Sequence, residues 1–129
     1  MPITWTISHP SRLVIAVARD SVGLADMQDY LDNVMVAGAM PYRKIFDTTN
    51  GNLELDNSEM MALGARIRAY SATTQMGPLA IVAGTPKSYA SARMYMTLAS
   101  ADRQMQLFQE LHLARKWLDG QSPTRTPPA

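Results

Sequence analysis

The sequence predicts an α/β fold: a mixed sheet in the order β-β-α-β-α-β-α-β-α, with helices packed on it. Three observations predict it. Short β-branched or wholly apolar runs alternate with amphipathic helical stretches, which implies a mostly parallel sheet. The first two apolar runs are joined by only a few residues, which makes an antiparallel hairpin at one side of that sheet. And 47% of the 129 residues are apolar against 18% charged, enough to bury the core of one ordinary domain.

Ile3, Trp5 and Ile7 alternate with Thr4, Thr6 and Ser8, the period of a strand with one wet face. His9-Pro10-Ser11 turns the chain. Leu13–Ala18 is apolar on both faces, as expected of a strand covered on both sides. Leu24, Met27, Tyr30, Leu31, Val34 and Met35 share one helical face, and Pro41 closes that region. Arg43–Thr48 is a short strand, followed by a turn at Thr49-Asn50-Gly51-Asn52. A second helix starts near Asp56 or Asn57, with Met60, Leu63, Gly64 and Ile67 inward. Asp56, Asn57 and Ser58 are all residues that cap helices. Met76-Gly77-Pro78 breaks it before a buried strand at Leu79–Ala83. Gly84-Thr85-Pro86 leads into a helix over Ser88–Ala99, then comes a short strand at Met105–Phe108. The final helix spans Glu110–Leu118, with Leu111, Ala114, Trp117 and Leu118 inward and Gly120 as its stop. Residues 1–120 form the expected single domain. Gln121–Ala129 has three prolines and no large apolar residue, the composition of a disordered tail.

Composition excludes several classes of chemistry. The absence of cysteine removes disulfides, thiolate metal sites and a thiol nucleophile. Two histidines, His9 and His112, are too few for a multi-histidine metal centre. A formal net charge of +1 gives no electrostatic case for nucleic acid. The longest near-continuous apolar run, Leu13–Ala18, falls far short of the roughly 20 residues that span a membrane. Met1–Trp5 shows no secretory pattern, so the expected compartment is the cytoplasm.

In an open α/β sheet, ligands sit beyond the carboxyl ends of parallel strands. The expected binding rim therefore combines Asp47, Thr48, Thr49 and Asn50, the helix start Asp56-Asn57-Ser58, and the loop residues Gly84, Thr85, Lys87 and Ser88. Each has a plain structural alternative. Asp47 is suited to bonding backbone N–H groups in a turn. The Gly84–Ser88 segment lacks the second glycine of a phosphate loop. An Asp47 phosphoacceptor would need a Mg²⁺ site with further carboxylates, and the end of the second strand offers only Asp20 beside Arg19. No acid, base and nucleophile are visibly assembled. The sequence thus points to a non-enzyme without cofactor or metal.

Lys44-Ile45-Phe46-Asp47, the helix start Asp56-Asn57-Ser58-Glu59-Met60, and Val82-Ala83-Gly84-Thr85-Pro86 with Ala114-Arg115-Lys116-Trp117-Leu118 resemble the STAS superfamily. The likeness is to its small stand-alone bacterial SpoIIAA-like members, related to anti-sigma-factor antagonists. It covers roughly residues 3 to 119. It implies a regulatory or binding module acting on a protein partner, and it leaves a homodimer open. Antagonists are switched by phosphorylation of the first serine in their helix-start motif. Asn57 holds that position here, Ser58 the second serine position, and Glu59 replaces a glycine. The standard phospho-switch is therefore not expected, and Ser58 is expected to cap or open the second helix. The alternative is a carrier of a small apolar, lipid-like ligand. Its cavity between helices and sheet would be lined by Met60, Met61, Met94 and Met96, since methionine adapts to irregular apolar space.

Overall fold

The computed structural model describes residues 2–98 and 103–121. The expected tail beyond Gln121, and the expected end of the third helix at Ala99, lie outside the described residues. Within them the elements are β1 (Ile3–Ser8), β2 (Leu13–Val22), α1 (Leu24–Val36), β3 (Arg43–Leu53), α2 (Asn57–Thr73), β4 (Leu79–Val82), α3 (Pro86–Leu98), β5 (Met105–Phe108) and α4 (Leu111–Asp119). The strands form one sheet in the order β1-β2-β3-β4-β5. β1 runs antiparallel to β2, and every other pair is parallel. The expected hairpin and the expected parallel sheet are both present.

The two faces of the sheet are covered differently. On one, Val14, Ala16, Ala18, Val22, Phe46, Leu79 and Ile81 pack with residues of α1, α2 and α3 in the larger core. On the other, Ile45, Ala80 and Val82 pack under Ala114 and Leu118 of α4. That helix is short and lies on β3, β4 and β5. β2 is therefore not buried on both faces, as its composition suggests. Val14, Ala16 and Ala18 are fully buried, whereas Leu13, Ile15 and Val17 on the reverse face are half-buried. The same narrow cover corrects one inward assignment, Leu111, which is exposed, while Trp117 packs on the smaller core as expected though only in part buried. The Trp117 and Phe108 ring centroids lie 5.9 Å apart.

Helix ends follow local chemistry. α1 stops before Pro41 because Gly38 adopts φ +71°, the left-handed conformation that costs a glycine little. Its N–H bonds the Met35 carbonyl and that of Ala39 bonds Val34. Asp32 on α1 receives Arg66 of α2 through both carboxylate oxygens, at 3.0 and 2.9 Å, and also accepts the Tyr70 hydroxyl. This half-exposed clamp fixes register between the helices more than it adds stability.

The main departure from the sequence expectation is in β3. The turn expected at Thr49–Asn52 is strand. β3 continues to Leu53 because the second half of β2, Arg19–Val22, pairs with Asn50–Leu53. The register shifts between Val17 and Arg19 of β2. Val17 faces Asp47 and Arg19 faces Asn50, so β3 carries one extra residue, a β-bulge. Asp20, opposite Gly51, takes φ +56°. Gly51 is required by close approach: a Cβ there would lie 2.6 Å from the Ala18 carbonyl carbon. That clash is with backbone inside the sheet and has no flexible side chain to absorb it. Gly51→Ala is expected to destabilise by about 1–3 kcal/mol, the usual cost of overpacking, read as a lowered urea midpoint. An unchanged midpoint would mean that the strands are not this close.

Candidate functional site

β3 and β4 are adjacent and parallel, with Asp47 opposite Val82, so the expected rim segments lie side by side where β4 ends, although β3 itself runs on to Leu53. The rim's polar groups are largely engaged by the fold. Asp47 Oδ1 accepts the Thr49 backbone N–H at 2.9 Å and the Thr49 hydroxyl at 2.5 Å, satisfying a donor that the bulge takes out of the ladder. Thr48 is buried and donates its hydroxyl to the Val82 carbonyl at 2.5 Å. That bond continues the β3–β4 contact one residue beyond the last backbone pair. The loop expected at Asp47–Asn50 is thus a bulged strand, in which Thr49 and Asn50 are exposed.

At the start of α2, Asp56 is the cap. Its carboxylate accepts the Glu59 N–H at 2.7 Å, and Glu59 Oε1 accepts the Asp56 N–H at 3.1 Å, a reciprocal capping box. Ser58 therefore does not cap this helix. Asn57 and Ser58 are exposed in its first turn. At the start of α3, the Thr85 and Ser88 hydroxyls lie 2.8 Å apart. Ser88 Oγ accepts the Thr85 N–H and Thr85 Oγ1 accepts that of Ser88, both at 3.1 Å. Lys87 Nζ reaches Glu54 Oε1 at 2.8 Å. It joins the first turn of α3 to the segment between β3 and α2 and makes the rim continuous. Lys87 holds the Glu54 carboxyl below its ordinary range, with help from Asn52. Beside this lies an open groove of about 460 Å³, lined by Gly84, Thr85, Tyr89, Arg93 and Gln109 among others. Arg93 and Gln109, which sequence reasoning did not select, are exposed there.

A second feature lies inside the larger core. A cavity of about 30 Å³ is bounded by apolar residues such as Met27, Phe46 and Ile81, and by Tyr30, Lys44, Tyr95 and Arg103. It is far below the roughly 300–1,000 Å³ of pockets for drug-sized ligands. The methionines expected around a lipid-sized cavity are elsewhere. Met60 is packed in the core, Met61 and Met94 are exposed, and the cavity instead has Met27 and Met76. Lys44 stands on the core face of β3 and is 3% exposed. Its Nζ donates to the carbonyls of Met40 and, at 2.9 Å, of Tyr42. Burial holds its pKa well below the ordinary lysine value, and the nearby Arg103 pushes the same way. Burial also raises the Tyr30 hydroxyl, reinforced by Tyr95. Sequence analysis read Lys44 only as part of a strand pattern. A charged residue at an inward position between Arg43 and Ile45 is the signal that could have found it.

The sequence matches no family model, and no curated protein matches it. Among solved structures it is similar to an uncharacterised protein of the DUF3478 family with a SpoIIAA-like fold from Shewanella loihica PV-4. Identity is 14%, the TM-score is 0.59, and the match covers 90% of this chain and 93% of that one. At that identity the likeness shows the fold: this chain has the SpoIIAA-like architecture that its sequence resembles. Among the described residues no helix is long and apolar enough to cross a membrane.

Two predictions follow from this geometry. Asp56→Ala is expected to cost about 1 kcal/mol through loss of the cap, and Ser58→Ala to stay within about 0.5 kcal/mol, both by urea unfolding. A larger loss for Ser58→Ala would return the cap to Ser58. The second concerns Lys44. Its folded-state pKa is depressed, so the unfolded chain binds the proton more readily, and stability rises with pH across the interval up to the unfolded value of about 10.4. Tyr30 has the opposite sign, and its contribution is lost above about pH 10. Unfolding free energy is therefore expected to climb with pH on the alkaline side, up to about pH 10, and Lys44→Met to flatten that climb. Parallel profiles for the two proteins would contradict a depressed Lys44.

Proposed function

We propose that the protein is a non-enzymatic binding module that recognises a protein partner through the rim where β4 ends beside β3, without the standard serine phospho-switch. The observation that carries this reading is the division of labour along the rim. The polar atoms of Asp47, Thr48, Asp56, Thr85 and Ser88 bond to adjacent backbone or to one another, which gives them structural duties. The groups left facing outward are Asn50, Asn57, Ser58, Arg93 and Gln109, spread along a continuous edge beside an open groove. Exposed polar side chains on a rigid, internally satisfied edge suit recognition better than bond making. The SpoIIAA-like fold supports the reading as analogy. Asn57 at the position of the antagonists' phosphorylated serine supports the absence of the switch.

The test is a pull-down from the native host with tagged wild type, Arg93→Glu, Ser58→Ala and Ser58→Asp, together with intact-mass analysis of the purified protein. A partner retained by both Ser58 variants and lost with Arg93→Glu is the expected result. Equal recovery with Arg93→Glu would move recognition off this rim. A stoichiometric phosphate on Ser58, with opposite behaviour of its two variants, would restore the switch.

A further inference from the structure

β5 is an outer strand of the sheet, with β4 on one side and, among the described residues, no strand on the other. The carbonyls of Gln104, just before β5, and of Phe108, its last residue, accept from Leu79 and Ala83. Backbone groups alternate in direction along a ladder, so those of Gln106 also face β4. The N–H and C=O groups of Met105 and Leu107 face the outer edge. Outer strands are commonly protected from further pairing by charge, proline or a bulge. Met105-Gln106-Leu107-Phe108 carries no charge and no proline.

One flank of α3 runs beside this edge. Tyr89, Arg93 and Met96 are spaced i, i+4 and i+7, on one side of the helix, and with Leu107 they line a groove of about 240 Å³. Tyr89 and Arg93 also line the groove of about 460 Å³ that reaches Gln109. The two grooves thus make one trough between α3 and β5. From Tyr89 to Met96 the helix rises about 10 Å, and β5 runs a similar length, about 10 Å from Met105 to Phe108. Arg93 is the one charged residue among the described lining, and it is exposed. A short extended backbone fits the open hydrogen-bonding edge, and a carboxylate complements the charge on the wall.

We propose that the partner binds by strand addition: an extended segment carrying an acidic side chain pairs its backbone with the outer edge of β5 and lies along α3, with its carboxylate on Arg93. Strand addition rests on the rim reading above, because Arg93 and Gln109 belong to that rim, and it specifies the kind of segment the partner supplies. Main-chain bonds to Met105 and Leu107 give affinity with little regard to sequence, and the side chains facing α3 give specificity. Those are every second residue of the added strand, so the acidic residue is one of them.

The probe is a phage-displayed library of short linear peptides panned on the intact protein. Enriched sequences are remade as acetylated, amidated peptides and their binding is measured by fluorescence anisotropy. Enriched peptides are expected to combine β-branched residues with an acidic one. Arg93→Glu is expected to weaken their binding by about tenfold or more, the worth of a charge-assisted hydrogen bond. Methylating the peptide's backbone nitrogens one at a time is expected to abolish binding at every second residue only, because those alone face β5. Met105→Pro removes an outward N–H at the first residue of the strand, where proline is tolerated, and is expected to abolish binding too. The methylation series decides even if that variant fails to fold. Peptides lost with Arg93→Glu but indifferent to backbone methylation would overturn strand addition and leave the rim as a recognition surface. A library without enrichment would also overturn strand addition, while the rim stands or falls with the pull-down. Binding that appears only after removal of residues 122–129 would make the chain's own C-terminal segment the occupant. A dimer of the free protein that the peptide dissociates would make the occupant a second copy. Either result would overturn a partner segment as the occupant.

Discussion

From Lys44 to Asp47 the strand β3 is paired on both edges, with β2 on one side and β4 on the other. Beyond Asp47 it keeps only β2. A strand can change from two partners to one only if the freed backbone donors and acceptors find substitutes. The bulge, the Asp47–Thr49 bonds and the Thr48–Val82 bond are those substitutes. They let β3 run on to Leu53 and place the start of α2 beside the start of α3. The rim, the Lys87–Glu54 contact and the groove beside Arg93 all depend on that change of partners.

The same strand explains the buried lysine. Residues of β3 alternate between the two cores, so Lys44 shares a face with Phe46 and Thr48, while Ile45 packs under α4. Its place in the ladder commits its side chain to the larger core, where the carbonyls of Met40 and Tyr42 accept from its Nζ. An apolar residue would fill that position at lower cost, since buried charge is rarely neutral for stability. A basic group kept at such a position, beside a small cavity that Arg103 also borders, is the feature of this core that packing alone does not explain.

Much of the architecture was legible because it is written in local periodicity. The alternation of Ile3, Trp5 and Ile7, the helical stripe from Leu24 to Met35, and the wholly apolar Leu79–Val82 each identify an element without reference to the rest of the chain. Asn50-Gly51 misled for a physical reason. The pair is a strong hairpin signal, yet here Gly51 serves close strand packing against Ala18, which no short-range pattern encodes. Ser58 misled similarly: three adjacent residues are competent caps, and the backbone direction entering α2 selected Asp56.

By itself the sequence determined the kinds and order of the elements and the chemistry open to the chain. Spacing and residue type act within a few positions, and an absent cysteine stays absent in any fold. Tertiary structure decided which face of β2 is covered, how far β3 extends, which rim groups are already occupied, and that Lys44 is buried beside a small cavity. Those outcomes depend on interactions between residues tens of positions apart, such as the pairing of Thr48 with Val82 or the clash a Cβ on Gly51 would make with Ala18. Burial and hydrogen-bond satisfaction are properties of the packed assembly. They are fixed only when the sheet's pairing brings those residues to one place.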